Sequence, residues 1–437
     1  MAEQNKNQEA ILAKLGITAL NAMQEEAHKA ISTHAEVVLL SPTGTGKTLA
    51  FLLPIIAALN SELDEVQVLI LIPSRELAIQ IEQVVREMGS GYKTMAVYGG
   101  RSGSKDKLEL KHPPAILIGT PGRVADHIRR KNVATRYIKT LVLDEYDKSL
   151  EIGFSNEMKE IIESLPNLET KVLTSATQKV KIPAFVGITN AKHLNFLQST
   201  ELQLALKLVV SPTEDKLTTL VGLLQHIGPK NGIVFCNLKD SIEMISNHLH
   251  KNHIHHVCFY GGLEQIDRER ALIKFRNGTH RLLLATDLAA RGIDVPELDF
   301  IIHYQLPPRP DEFVHRNGRT ARMNTEGTAY VLKWEKEALP VFIKGAEEIA
   351  LVPSKQGLGK DWETLYISGG RKDKISKGDI AGLFFKQGNL NKDELGMIEL
   401  KQDCAFVSVP RSKSTELIKL LNNSRLKTKK VRISLLD

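Results

Sequence analysis

The sequence predicts an α/β protein: two tandem parallel-sheet domains followed by a small α+β domain. Three observations carry this. Residues 1–200 alternate short apolar runs with helical stretches, residues 205–350 repeat the alternation, and the composition changes after 351–360, which read as a linker before a segment at 361–437. Strands alternating with helices argue for parallel sheets covered on both faces. A chain of 437 residues is also too long for one typical core.

In the first domain the strand candidates are 37–40, 67–72, 94–98, 115–119, 140–143 and 171–174. Between the first of them and the uncharged stretch 49–59, read as a buried helix with Pro54 its one breaker, lies Ser41-Pro42-Thr43-Gly44-Thr45-Gly46-Lys47-Thr48. A strand, a glycine turn and a helix in that order make a phosphate cradle, because backbone N–H groups and the helix N-terminus close around an anion. Thr43, Gly44, Thr45 and Gly46 would line it, Lys47 would reach the β/γ-phosphates, and the Thr48 hydroxyl would take Mg²⁺. Ser41 stands where the general pattern has glycine, but the Gly-Lys-Thr core is intact.

The second domain offers strands at 206–210, 232–236, 256–260, 281–285, 300–303 and 328–332, without a phosphate loop. Two similar domains, one with the loop, suggest a cleft whose closure is the working motion. The last segment alternates short strands with one or two helices and is basic, with 15 Lys/Arg against 10 Asp/Glu, or +5 of the chain's net +7. Lys419, Arg425, Lys427, Lys429, Lys430 and Arg432 follow one another with no acid between them. Beside a nucleotide site, such a tail points to a polyanion such as nucleic acid.

The remaining bulk features narrow the class. An apolar fraction of 42% and a charged fraction of 25% are ordinary for a soluble protein. No apolar run approaches the roughly 20 residues of a membrane span, and residues 1–9 lack the apolar core of a signal peptide. Cys236, Cys258 and Cys404 are scattered, which fits a reducing compartment. A cytoplasmic protein with no membrane partner is expected.

The strand candidate 140–143 ends in Asp144-Glu145, two carboxylates where open α/β sheets place their ligands. Asp144 can hold Mg²⁺ and Glu145 can orient or deprotonate an attacking water. Asp144-Glu145-Tyr146-Asp147 resembles the motif that names the DEAD-box ATP-dependent RNA helicases, with Tyr146 where the family has alanine.

The resemblance covers residues 12–350 and recurs in order. Pro73-Ser74-Arg75-Glu76-Leu77-Ala78, Gly99-Gly100 and Thr120-Pro121-Gly122-Arg123 are similar to the family's first RNA-contacting motifs. Ser175-Ala176-Thr177 matches the motif that couples hydrolysis to strand separation. Gln265 and Arg268 fall in a segment like the RNA-gripping helix, Ala285-Thr286-Asp287 through Arg291-Gly292-Ile293-Asp294 resembles the fifth motif, and His315-Arg316-Asn317-Gly318-Arg319-Thr320-Ala321-Arg322 the sixth.

The resemblance implies two RecA-like domains that bind ATP and Mg²⁺. It assigns RNA contact to Arg75, Gly100, Thr120, Arg123, Gln265, Arg268 and Thr286, and a ribose contact to Asp294. Arg319 and Arg322 are three apart, so on a helix both would point to one side and could neutralise the transferred phosphoryl. Gln24 lies in a segment similar to the adenine-reading one, where an amide can bond adenine N6 and N7; the family's Pro-Thr pair is Leu20-Asn21 here.

In the basic segment, Leu365-Tyr366-Ile367-Ser368-Gly369 and Cys404-Ala405-Phe406-Val407-Ser408-Val409 resemble the two signature strands of an RRM sheet. Tyr366 and Phe406 would then stack on bases, at roughly 1–3 kcal/mol each. The whole segment is similar to the DbpA-type C-terminal domain of bacterial helicases, which implies a structured RNA target, ribosomal RNA within pre-ribosomal particles.

The expected protein is an ATP-dependent RNA helicase that locally unwinds short duplexes during ribosome assembly. Tyr146 leaves an alternative open, since small-to-large changes in a packed site cost roughly 1–3 kcal/mol: an ATP-gated RNA clamp or scaffold with weak unwinding. His248, His250, His253, His255, His256 and Cys258 lie close in sequence, but they straddle a helix end and a strand start and are not expected to share a metal.

Overall fold

The computed structural model describes residues 2–100, 102–177, 181–197, 204–290, 295, 298–320, 327–352 and 361–436. The first sheet holds seven parallel strands: β1 (Glu36–Leu40), β2 (Val68–Leu71), β3 (Thr94–Val97), β4 (Ile116–Gly119), β5 (Thr140–Leu143), β6 (Thr170–Ser175) and β7 (Lys192–Asn195), in the order β3-β4-β2-β5-β6-β1-β7. The second sheet holds β8 (Leu204–Ser211), β9 (Gly232–Cys236), β10 (Val257–Phe259), β11 (Leu282–Thr286), β12 (Phe300–His303), β13 (Gly327–Trp334) and β14 (Glu347–Glu348), in the order β10-β11-β9-β12-β13-β8-β14. The two orders are the same path drawn twice, so the chain carries a tandem repeat of one fold.

Strand period explains the layers. In the first sheet Val37, Leu39, Val68, Ile70, Ile116 and Ile118 belong to one apolar core, and Val38, Leu40, Leu69, Leu71 and Leu117 to a second. Alternate residues thus feed opposite faces, each covered by helices. Helix Lys47–Ala57 fills the first core with Leu49, Phe51, Leu52, Leu53, Ile55 and Ile56, and tolerates Pro54 inside it.

The third sheet is antiparallel. β15 (Trp362–Ile367), β16 (Ile398–Leu400), β17 (Ala405–Pro410) and β20 (Ile433–Leu435) lie in the order β16-β17-β15-β20, and a small hairpin, β18 (Arg425–Leu426) with β19 (Lys429–Lys430), precedes the last strand. Helices Lys377–Lys386 and Arg411–Leu421 pack Ile380, Leu383, Phe384, Leu417 and Leu421 against its inner face. This is the RRM-like path expected for the basic segment. By contacts the described chain divides into two compact units, one built on the first sheet and the other on the second and third.

One feature departs from expectation. The sequence does not signal strands β7 and β14: β7 buries only Leu194 of four residues and β14 is a two-residue exposed edge, so neither has an apolar run to announce it. The linker expected at 351–360 falls, from 353 on, outside the described residues.

Candidate nucleotide and RNA site

The phosphate loop leaves β1 at Ser41, whose N–H bonds the carbonyl of Ser175 at the end of β6. Gly44 and Gly46 both take φ +86°, a region closed to most L-residues. The Lys47 ammonium donates to the carbonyls of Ser41 (2.6 Å) and Pro42 (2.9 Å), while Thr45 Oγ1 lies 2.8 Å from Ser41 Oγ and donates to Pro42 O. The serine in the glycine's place therefore ties the loop across its base. Thr43 and Thr48 are half-buried and Gly44 is exposed.

Gln24 is drawn to this loop by a capping box at the start of helix Ala22–Thr33. Its Oε1 accepts from Asn21 N–H (3.0 Å), its Nε2 donates to Gly46 O (3.3 Å), and Asn21 Nδ2 donates to Thr45 O (3.2 Å). A carboxamide has two donor hydrogens and two acceptor lone pairs, so one of each lies outside these two bonds. The Asn21 that replaces the family residue is thus both helix cap and loop tether. A Cβ on Gly46 would meet Gln24 Nε2 at 2.4 Å.

Asp144 follows β5 and is buried. Burial pushes its carboxyl up, and a hydrogen bond from Thr174 and the nearby Lys47 ammonium pull it back. Thr174 Oγ1 also receives the N–H of Glu145 at 3.2 Å. Glu145 is half-buried with φ +48°, a left-handed backbone that a glutamate rarely adopts and that recurs at functional sites. Asp147 is fully buried and accepts from Thr177 Oγ1 at 3.0 Å, while Ser175 Oγ holds Thr177 through a bond to its carbonyl (2.8 Å) and one from its N–H (2.9 Å). The 144–147 motif and the 175–177 motif are therefore one hydrogen-bonded set. Thr174 was not anticipated as part of it, because its partners lie about 30 residues away in sequence.

Tyr146 is only 3% exposed and packs in the second core of the first sheet. Burial pushes its phenol up to about 12, with the Asp147 charge adding to the shift.

Two of the expected RNA contacts of the first unit, Arg75 and Gly100, are neighbours. A Cβ on Gly100 would lie 3.1 Å from Arg75 Nη1, and one on Gly103 would lie 3.0 Å from Arg123 Nη2. Arg75 begins helix Arg75–Met88 behind its cap Ser74, and Thr120 caps Pro121–Arg129, which carries Arg123. Arg123 is clamped by Asp106, with Nε at 3.1 Å and Nη2 at 2.8 Å from Oδ2. His127 Nε2 approaches the same oxygen at 3.4 Å.

In the second unit Gln265 opens helix Gln265–Arg276 and donates to Glu269 at 3.1 Å. Arg268, expected to meet phosphates, is buried with its guanidinium 4.8 Å over the Phe259 ring. Thr286 ends β11 half-buried. The next residue, Asp287, takes both Arg316 Nε (2.7 Å) and Nη2 (2.6 Å); Arg316 also donates to Asn237 Oδ1 and Gln305 O, each at 2.7 Å. Arg316 thus locks the fifth and sixth motifs together, a role the sequence reading missed.

Two expectations are corrected. Arg319 is not on a helix: Pro310–Asn317 ends before Gly318, and Arg319 lies in the following turn, buried. Arg322 and Asp294 lie outside the described residues. Tyr366 and Phe406 do sit opposite each other on β15 and β17, rings 5.8 Å apart. Phe406, however, is buried against Ile273 and Leu436, with Tyr366 packed beside them, so its ring is not a free platform for bases. Among the described residues no three His, Cys, Asp or Glu side chains are grouped to hold a metal; His256 instead bonds Ser246 at 2.7 Å.

A phosphate loop at the tip of β1 and a buried acid at the tip of β5, on one of two matching parallel sheets, define a nucleoside-triphosphate hydrolase with tandem RecA-like domains. The family models for the DEAD/DEAH box helicase, the helicase conserved C-terminal domain and the DbpA RNA binding domain match residues 21–184, 215–324 and 364–435. The ATP-dependent RNA helicases DbpA of Bacillus subtilis and Escherichia coli are 30% and 31% identical to the chain, each over 97% of it and 96% of the relative. Among solved structures, S. cerevisiae Dbp5 bound to RNA and ADP BeF3 superposes with a TM-score of 0.67 at 27% identity, covering 75% of this chain and 86% of that one. Mss116p bound to ssRNA and AMP-PNP gives 0.66 at 26% identity, covering 76% and 72%. The chain belongs to the DEAD-box ATP-dependent RNA helicases. It is an ATP-hydrolysing enzyme that binds RNA, and its last domain is of the DbpA RNA-binding type.

Proposed function

We propose that this helicase locally unwinds short duplexes in structured ribosomal RNA, in the cytoplasm, during ribosome assembly. The observation that carries the unwinding is the hydrogen-bonded set joining Asp144, Glu145 and Asp147 to Thr174, Ser175 and Thr177. A change at the phosphate end has a direct mechanical route to the motif that couples hydrolysis to strand separation.

Lys47 and the loop N–H groups would hold the β/γ-phosphates, Gln24 the adenine edge, and Glu145 the attacking water. Arg319 and Arg322 would stabilise charge on the transferred phosphoryl. The donor set fits Mg²⁺: a hydroxyl on Thr48 and a buried carboxylate on Asp144 are hard oxygen ligands. Bound there, the ion would neutralise phosphate charge. Arg75, Arg123 and Arg268 would grip RNA backbone, which carries no base information.

Target choice falls to the last domain. With Phe406 covered, the exposed Arg425, Lys427, Lys430 and Arg432 are the cations placed to meet structured RNA. Tyr146 favours unwinding over the clamp, because its buried ring coexists with intact bonds from Thr174 and Thr177.

Phosphate release with and without RNA, together with strand displacement on matched RNA and DNA duplexes, tests this. RNA-stimulated turnover with displacement of RNA alone is expected. Stimulated turnover without displacement would instead establish the clamp. Crosslinking and sequencing the RNA bound in cells would identify the target, and absence of ribosomal RNA would refute the assembly role.

A further inference from the structure

Strand β6 lies between β1, which leads into the phosphate loop, and β5, which leads to Asp144. The register sets Leu173 beside Leu143 and Thr174 beside Leu39, so Thr174 and Asp144 come next along two parallel neighbours. Alternation puts Thr174 on the face of Val172, which with Leu39 belongs to the first apolar core. Thr174 is fully buried there, where packing alone would be met by an aliphatic side chain.

A hydroxyl buried without partners is unfavourable, and this one has two. It donates to Asp144 Oδ1 and accepts the Glu145 N–H at 3.2 Å. With Oδ1 engaged, the Asp144 carboxyl cannot swing freely, and Oδ2 is the oxygen offered to an ion. Glu145 holds φ +48°, a backbone that persists only where its surroundings enforce it. The bond to its N–H does so from one side, and the N–H groups of Lys148 and Ser149 hold its carbonyl at 3.0 and 3.1 Å from the other. Ser175 and Thr177 bond each other and Asp147; Thr174 serves the two acids before it.

We propose that Thr174 is a positioning residue for hydrolysis: one hydroxyl sets both the Asp144 oxygen that meets Mg²⁺ and the backbone that aims Glu145 at water. Outer partners of this kind orient the groups that touch an ion, and Thr174 acts only through those two acids. The inference rests on the reading that Asp144 holds the ion and Glu145 the water.

The test compares, in the full chain, Thr174→Val, which keeps the shape without the hydroxyl, and Thr174→Ser, which keeps the hydroxyl without the methyl. Turnover is measured with saturating deproteinised bacterial ribosomal RNA, Mn²⁺ binding in the presence of ADP by electron paramagnetic resonance, and stability by urea titration. Both variants should unfold earlier than the parent. Only T174V should lose about 10–100-fold in kcat and about tenfold in Mn²⁺ affinity, with RNA half-saturation held, and T174S should recover most of both. Parent values of either kcat or Mn²⁺ affinity in T174V would overturn the proposal, as would losses in both variants that follow the unfolding midpoint. Asp144→Asn and Glu145→Gln are the controls: parent-like turnover in either would refute the reading of the acids themselves. Should T174V fail to fold, Thr174→Ala set against T174S gives the same contrast.

Discussion

Arg123 and Asp106 are joined through two guanidinium nitrogens, 3.1 and 2.8 Å from one carboxylate oxygen, and the aspartate is fully buried while the arginine side chain is 17% exposed. The acid therefore aims the arginine rather than competing with it in solvent. Asp106→Asn keeps the shape and removes the charge. It should destabilise the protein by about 1–3 kcal/mol in a denaturant titration. RNA half-saturation should rise several-fold while the KM for ATP stays where it was. An unchanged RNA half-saturation would show that Arg123 finds its place without help.

Arg316 and Arg319 should separate cleanly. Arg316 is 1% exposed and held by four hydrogen bonds to Asp287, Asn237 and Gln305. Removing one partner of a buried ion pair costs about 3–5 kcal/mol, so Arg316→Ala should unfold at markedly lower denaturant. Arg319→Ala should cut kcat by roughly 10³-fold, as for a phosphoryl-stabilising arginine, with a smaller shift in the unfolding midpoint. Equal midpoint losses would place Arg319 in the structural network instead.

Much of this architecture was legible because parallel strands announce themselves. Residues such as Val68, Leu69, Ile70 and Leu71 are buried on both faces and so read as unbroken apolar runs. The phosphate loop was legible for a similar reason: its glycines and lysine are adjacent in sequence. What stayed hidden depends on partners far along the chain. Thr174 reaches Asp144, and Asp106 reaches Arg123, from positions with no local signature. Alternation along β17 correctly put Phe406 on the face away from the module's own core. Nothing in that pattern says Ile273 will cover it. Arg319 falls beyond the helix expected to carry it, because Pro310–Asn317 ends before Gly318.

Acid should weaken the second unit through His303. The ring is fully buried, lies tilted against Phe313 with centroids 4.9 Å apart, and Nε2 donates to Asn317 Oδ1 (3.0 Å). Because the amide oxygen only accepts, Nε2 carries the proton. Burial, with the Arg316 charge adding to it, lowers the imidazole from 6.5 to about 3. The unfolded chain therefore binds a proton that the native state refuses. The neutral ring's contribution is complete above about pH 6.5 and is lost as pH falls from there toward about 3. The unfolding free energy from urea titrations should decline across that window by no more than about 1.4 kcal/mol per pH unit from this group. His303→Gln should flatten the decline, and an unaltered slope would locate the acid sensitivity elsewhere.

Tyr146 stands where the family carries alanine, and its ring is part of the core rather than an intrusion on the site. It is 3% exposed among the residues that include Leu40, Leu143 and Met158, while the bonds that tie Asp144 to Thr174 and Asp147 to Thr177 remain formed. Restoring the family residue should therefore damage the protein. Tyr146→Ala deletes a buried aromatic ring and should cost about 3–5 kcal/mol, read as a lower unfolding midpoint. Turnover per folded molecule and its stimulation by RNA should hardly move, since the coupling bonds do not pass through the phenol ring. The opposite pattern, a stable Y146A protein that displaces RNA strands faster than the parent, would mean that the tyrosine restrains unwinding and that the parent works chiefly as a clamp.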